Sequence, residues 1–99
     1  MYSELKTVEL FVSGKVQGVG FRACIKRTAD SLGICGTAMN LDDGRVHIVA
    51  SGEDMIVEKF ISMLYSCPRA SIRNIESGEH ELLSFEGFHI KRGFYQYGT

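Results

Sequence analysis

The residues of this chain best suited to chemistry are Arg22 and the glycines before it. Residues 12–22 read V-S-G-K-V-Q-G-V-G-F-R, an apolar-alternating segment that runs into a glycine-rich turn. Arg22 stands where a helix is expected to begin, and a cation there opposes the helix macrodipole. Free backbone N–H groups at a helix start suit an oxyanion, so the pattern favours an anion site. A tight turn with a solvent-facing arginine is the alternative.

The spacing of the glycines indicates how such an anion could be held. Glycines at positions 14, 18 and 20 let the backbone curl closely around a tetrahedral group. Successive N–H groups could then form a nest, and the arginine adds a planar, permanently charged fork that matches phosphoryl oxygens. We therefore predict a phosphate-binding loop made of Gln17, Gly18, Val19, Gly20, Phe21 and Arg22.

Length and composition limit the classes of protein. Ninety-nine residues with 44% hydrophobic content predict a single domain over residues 1–99, with a core at about 7–92 and a tail at 93–99. A net charge of −1 argues against a strongly electrostatic nucleic-acid or membrane-surface binder. The N-terminus starts no signal peptide, and no apolar run has the length of a membrane span. We expect a cytoplasmic monomer that binds neither nucleic acid nor membrane.

The cysteines favour the same compartment. Cys24, Cys35 and Cys67 are an odd number without a CxxC pair, which argues against a disulfide framework and for a reducing, cytosolic setting. Cys24 lies two residues beyond Arg22, where a helix N-terminus and a cation could lower its pKa. No histidine stands in a recognisable arrangement with it. We therefore interpret Cys24 as a small helix-surface or core residue.

Hydrophobic periodicity predicts the elements that must position the loop. Alternation over residues 7–13 indicates a half-buried strand, and apolar residues at helical spacing indicate a helix over Phe21–Leu32 that ends at Gly33. The Asp-Asp-Gly segment before Arg45 predicts a hairpin turn. The other predicted elements are hairpin strands over 36–41 and 45–50, a helix over 53–65, a strand over 71–78, a connection over 81–86 and a last strand over 88–91.

This order of elements predicts the fold class. A strand–helix–strand unit is followed by a second one, with a hairpin in the middle and a further short edge strand. Right-handed crossovers then give an α+β, ferredoxin-like βαββαβ sandwich, an antiparallel sheet with two helices on one face. Many activities share this sandwich, so the fold by itself does not identify the function.

Three functions that this sandwich could carry are disfavoured by particular residues. An RNA-recognition module needs stacking aromatics on a central strand, and residues 45–50, R-V-H-I-V-A, contain none. The histidines at 47, 80 and 89 lie far apart without ligand spacing, so we expect no metal. Gly18 to Ala23 matches the dinucleotide-binding motif G-x-G-x-x-A, but the chain lacks the parallel sheet of that fold. Gly14-Lys15 is not followed by serine or threonine, so it does not form a Walker motif either.

Two long motifs resemble those of the acylphosphatases. The first, G-x-V-Q-G-V-x-F-R after an apolar residue, matches at every fixed position from Val12 to Arg22. The second begins with a glycine and an aromatic residue and continues through an asparagine to x3-G-x-V-x5-G. Its matches in this chain are Gly36, Asn40, Gly44, Val46 and Gly52. Thr37 replaces the family's aromatic residue, and the tail beyond Arg92 is longer than is usual. The resemblance covers residues 8–91.

The resemblance implies a chemistry and a fold that agrees with the predicted one. Arg22 would hold the phosphoryl group of a small acyl phosphate, and Asn40 would orient the attacking water. Phosphate or sulfate would compete with the substrate, and no cofactor or metal is implied. A rival hypothesis is a non-catalytic phosphate- or carbamoyl-phosphate-binding module, because similar domains are fused to carbamoyl-transfer enzymes. Those fusions continue into further domains, and Asn40 is retained here, so we expect hydrolysis.

Overall fold

Residues 4–95 are described by a computed structural model and form seven elements. They are β1 (Leu5–Lys15), α1 (Phe21–Leu32), β2 (Cys35–Leu41), β3 (Val46–Glu53), α2 (Asp54–Leu64), β4 (Ser71–His80) and β5 (Phe88–Tyr95). Each predicted element is present, and the strands are longer than predicted at one or both ends. Residues 1–3 and 96–99 lie outside the described residues. Part of the predicted tail, and the N-terminal residues for which no signal peptide was predicted, therefore lie outside them too.

The sheet has the strand order β4-β1-β3-β2-β5. Antiparallel pairing joins β1 to β4 and β3, and β3 to β2, which gives the ferredoxin-like α+β fold predicted from the sequence. The pairing of β5 with β2 is parallel, so the sheet is mixed at this edge rather than antiparallel throughout. The reason is topological: β5 begins at the end of the sheet where β4 stops, and this direction is also that of β2.

The core lies between the sheet and the two helices. Leu10 of β1, Ile48 of β3 and Ala38 of β2 are in register, fully buried, and face the helices. Both helices bury one stripe against them, with Phe21, Ile25 and Ala29 from α1 and Val57, Phe60 and Leu64 from α2. Because α1 lies over β2 and β5, its N-terminus is brought to the ends of these two strands.

The prediction that the cysteines form no disulfide is wrong, because Cys24 and Cys67 are joined by one. Cys24 lies on the buried side of α1, and Cys67 follows α2, which packs beside α1. The partners are 43 residues apart, so neither their count nor their local spacing indicated the pairing. Cys35 is free. The disulfide removes the reason that the cysteines supplied for a reducing compartment, and the cytoplasmic location stays a prediction.

Replacing both Cys24 and Cys67 with serine should lower the free energy of unfolding by about 4 kcal/mol, since the bond restricts a long loop in the unfolded chain. Urea unfolding followed by circular dichroism would measure the difference. The matched control is Cys35→Ser, which removes a thiol without breaking a bond and should leave the midpoint within error. Equal midpoints for the double variant and the wild type would contradict the expectation.

Candidate active site

The loop of residues 17–22, named the glycine loop, connects β1 to the start of α1. Gly18 and Gly20 have φ of 74° and 76°, left-handed conformations that disfavour residues with a Cβ. Gly20 caps α1 without a side-chain hydrogen bond, and the first turn carries no acidic residue. No acceptor within residues 4–95 takes the N–H groups of residues 18–22. The loop therefore offers several free donors at the positive end of a helix.

Gln17 ties the glycine loop to the hairpin between β2 and β3. Its Nε2 donates hydrogen bonds to the carbonyl oxygens of Leu41 and Arg45, both at 2.9 Å. One side chain thus spans the two strands at the mouth of their turn. Because Leu41 follows Asn40 directly, this clamp also sets the distance between the glycine loop and Asn40. Gln17 itself does not line the pocket described below.

The turn that Gln17 grips is held by an ion pair. Nε and the backbone N–H of Arg45 donate to the two carboxylate oxygens of Asp43, at 2.8 and 3.0 Å. The guanidinium and this backbone N–H keep the pKa of Asp43 below its ordinary value. Arg45 also lies over the ring of Phe11, 4.8 Å from its centroid. Asp43 and Arg45 thus neutralise each other within the turn.

Arg22 lies in the first turn of α1 and is half-buried. Its Nη1 donates a hydrogen bond to the carbonyl oxygen of Lys91 in β5, at 3.1 Å. This contact draws the guanidinium across the helix start toward the β2–β5 edge of the sheet. The remaining N–H groups of the fork make no hydrogen bond within the described residues, which leaves them available to an anion.

Asn40 is the predicted partner of Arg22, and sheet register relates the two. Met39 pairs with Lys91, the residue that Arg22 contacts, and Asn40 comes next along β2. Asn40 is 8% exposed, and its Oδ1 is buried without a hydrogen-bond partner in the described chain. A buried acceptor without a partner is costly. Its carbonyl oxygen is therefore suited to accept a hydrogen bond from a bound water molecule.

A pocket of about 210 Å³ opens at the glycine loop. Its walls are Val16, Gly18, Gly20, Phe21, Arg22, Ala23, Ile90 and Arg92. Two cations and no carboxylate are among these residues, so the pocket suits an anion. Val19 packs against the core instead, and the Phe21 ring is buried, so that its backbone is the part that can bind a ligand. Asn40 is not one of the residues that line this pocket.

Arg92 is a residue of this pocket that the sequence analysis did not identify. The register of β5 on β2 shifts after Met39: Lys91 pairs with Met39 and Phe94 pairs with Asn40, so Arg92 lies in a bulge. Its position depends on a parallel pairing between segments about 50 residues apart along the chain. In the sequence Arg92 is notable only as the last residue before the predicted tail, and this position does not indicate which residues it contacts.

The two larger pockets lie on the sheet face opposite to the helices. They measure about 390 and 350 Å³ and share Leu83 and Phe85 of the segment that crosses this face. Thr37, which replaces the family's aromatic residue, lines the second of them. Since Thr37 and Asn40 are three residues apart in one strand, they point to opposite faces. Thr37 therefore lies on the face of β2 opposite to Asn40.

The histidines have local partners in the described part of the chain. Nε2 of His47 lies 2.8 Å from Oε2 of Glu9, while His80 and His89 contact the carbonyl oxygens of Glu81 and Glu86. Among residues 4–95 no group of three or more His, Cys, Asp or Glu side chains has the arrangement of a metal site. No helix in this part of the chain combines the length and apolarity that crossing a membrane requires.

The structure thus has a small α+β domain and a candidate anion site between a helix start and a strand end. The acylphosphatase family model matches residues 8–90. An acylphosphatase of Archaeoglobus fulgidus is 45% identical over 84 residues, which cover 84% of this chain and 94% of that protein. The crystal structure of acylphosphatase from Bacillus subtilis superposes with a TM-score of 0.84 at 32% identity, over 90% of this chain and all of that one.

The chain belongs to the acylphosphatase family. This confirms the predicted resemblance and the prediction of an enzyme of the acylphosphatase class, the hydrolases that act on acid anhydrides. A further similarity is to full-length HypF in a phosphate- and nucleotide-bound form, with a TM-score of 0.86 at 26% identity. That match covers 99% of this chain and 13% of HypF.

Proposed function

We propose that this protein hydrolyses the carboxyl–phosphate anhydride of acyl phosphates to a carboxylate and inorganic phosphate. The family membership supports the reaction. The observation that most supports these particular residues is the contact of Arg22 with Lys91, whose register partner Met39 precedes Asn40. The guanidinium proposed to bind the phosphoryl group is thus bonded to the strand that pairs with β2 next to Asn40, whose amide is proposed to orient water.

In the binding step the phosphoryl group occupies the glycine loop. The free N–H groups of residues 18–22 donate to its non-bridging oxygens, and the guanidinium of Arg22 adds a charged fork. Phosphoryl transfer depends mainly on positioning and on stabilising the charge of the equatorial oxygens. Donors fixed in place by a helix start and by the Gln17 clamp need little rearrangement as that charge develops.

In the chemical step the Oδ1 of Asn40 accepts a hydrogen bond from a water molecule and directs it in line with the scissile bond. The water oxygen forms a bond to phosphorus, and the bond from phosphorus to the acyl oxygen breaks with its electron pair on the departing carboxylate. A proton of the water passes to a phosphoryl oxygen of the substrate. Because a carboxylate is a good leaving group, this scheme needs no strong general acid and no cofactor.

The reaction is tested by incubating the purified full-length chain with benzoyl phosphate or acetyl phosphate in the presence of a chelator. We expect catalytic release of carboxylate and phosphate in equal amounts, with inorganic phosphate or sulfate inhibiting competitively. Turnover no faster than the spontaneous reaction would contradict the proposal. Sedimentation of the same preparation tests the expected monomer.

The second candidate is a module that binds phosphate or carbamoyl phosphate without hydrolysis. It is favoured by the similarity to one part of HypF, a protein recorded with bound phosphate and nucleotide. The same preparation separates the two functions. Phosphate binding detected by calorimetry, together with the absence of turnover of any acyl phosphate, would support the binding module and contradict hydrolysis.

A further inference from the structure

Arg69 lies at the glycine loop although it is far from it in sequence. A methyl group built at Gly20 would come within 3.2 Å of Nη2 of Arg69, so the guanidinium lies directly beside the N-cap of α1. Arg69 is exposed and makes no hydrogen bond or ion pair with any residue from 4 to 95. Its charge is thus beside the candidate anion site and not neutralised by a described carboxylate.

The backbone at Arg69 has an unusual conformation. Its φ is 67°, and within residues 4–95 it is the one non-glycine residue with a positive φ. L-residues other than glycine seldom adopt this left-handed conformation. On the preceding side Pro68 restricts the backbone, and the N–H of Cys67 is hydrogen-bonded to the carbonyl oxygen of Leu64 at the end of α2.

The disulfide connects this segment to the glycine loop. Cys67 is bonded to Cys24, and the N–H of Cys24 closes the first turn of α1 on the carbonyl oxygen of Gly20, at 3.1 Å. Arg69 is two residues beyond Cys67. A short covalent path therefore runs from the helix start that presents the free N–H groups to the segment that carries Arg69.

We propose that Arg69 is a further cation of the phosphoryl site, beside Arg22 and Arg92, held at its rim by the Cys24–Cys67 disulfide. This inference rests on the proposed function. Arg22 approaches the site from the β5 side, where it is bonded to Lys91, and Arg69 approaches from the side of Gly20. Arg69 attracts the phosphoryl group equally in substrate and transition state. Such uniform binding changes KM with little effect on kcat.

The test of the cation is Arg69→Gln in the full-length chain. Because Arg69 is exposed, we expect KM for benzoyl phosphate and Ki for inorganic phosphate to rise about three- to tenfold at low ionic strength, with kcat within about twofold of wild type. Arg69→Lys should recover most of the loss, and added salt should shrink the difference. The control is Arg27→Gln, which removes an equal charge from an exposed position of α1.

Three outcomes of this test are distinguishable. Unchanged KM and Ki in Arg69→Gln, with a wild type that turns over, would overturn the role of Arg69 alone. A fall in kcat that Arg69→Lys does not rescue would show a structural role and also overturn it. If the wild type does not hydrolyse acyl phosphates, the proposed function fails, and calorimetric affinity for phosphate still decides whether Arg69 belongs to the anion site.

The role of the disulfide is tested by a double-mutant cycle. The Cys24→Ser/Cys67→Ser variant should have a higher KM for benzoyl phosphate and a higher Ki for phosphate than wild type, as Arg69→Gln should. Adding Arg69→Gln to it should then produce little further change, because residues that act together are not additive. Additive effects would show that the disulfide does not position Arg69. If the cysteine variant does not fold, the phosphate Ki of wild type and of Arg69→Gln is measured before and after treatment with dithiothreitol. We expect the treatment to raise the Ki of wild type more than that of Arg69→Gln. Equal increases would show that the disulfide does not position Arg69.

Discussion

Replacing Arg22 with alanine should lower kcat/KM for benzoyl phosphate by about 10²–10³-fold, corresponding to roughly 3–4 kcal/mol of transition-state stabilisation. The side chain supplies a charged fork at the point where the phosphoryl oxygens gain charge, and its contact with Lys91 holds that fork in place. Arg22→Lys should recover little of the activity, because a point charge does not reproduce two parallel donors.

The control for Arg22 is Arg27→Ala on the same helix. Arg27 is exposed and does not line the pocket, so the change removes the same charge without touching the glycine loop. We expect Arg27→Ala to retain wild-type rates. Steady-state kinetics of both variants, with circular dichroism to confirm folding, give the comparison. Wild-type hydrolysis by a folded Arg22→Ala protein would eliminate Arg22 as the phosphoryl-binding residue.

Replacing Asn40 with alanine should abolish measurable turnover and leave the affinity for inorganic phosphate within about twofold of wild type. The amide acts on the attacking water, and the phosphoryl group is bound by the glycine loop and Arg22, so the two functions separate. Because Oδ1 of Asn40 has no partner in the described chain, its removal breaks no hydrogen bond of the fold. Stability should therefore be largely retained.

The control for Asn40 is Asn74→Ala, an exposed asparagine on β4. Calorimetry with phosphate measures binding, hydrolysis of benzoyl phosphate measures catalysis, and urea unfolding checks stability. We expect Asn74→Ala to match wild type in all three. A loss of phosphate affinity in Asn40→Ala as large as its loss of rate would show that Asn40 binds the anion and does not act on the water.

Several features of the candidate site were predictable because they depend on neighbours in sequence. The period-2 alternation before the turn, the glycines at 18 and 20, and the apolar spacing after Phe21 predicted a strand, a tightly curled loop and a helix start. The structure then shows both glycines at positive φ. Local sterics determine such features, since only glycine adopts positive φ freely. The role of Asn40 was less accessible. Local pattern treats it as an ordinary strand residue, and only the family motif singled it out.

The sequence by itself determined the order of elements, the glycine loop and the arginine at its end. Each helix, strand and loop depends on residues that are close together in the sequence. Only the tertiary structure decided the Cys24–Cys67 disulfide, the parallel pairing of β5 and the approach of Arg69 to Gly20. These features join segments roughly 43 to 54 residues apart along the chain. Their formation depends on how α1, α2 and the sheet pack, and no local periodicity contains that information.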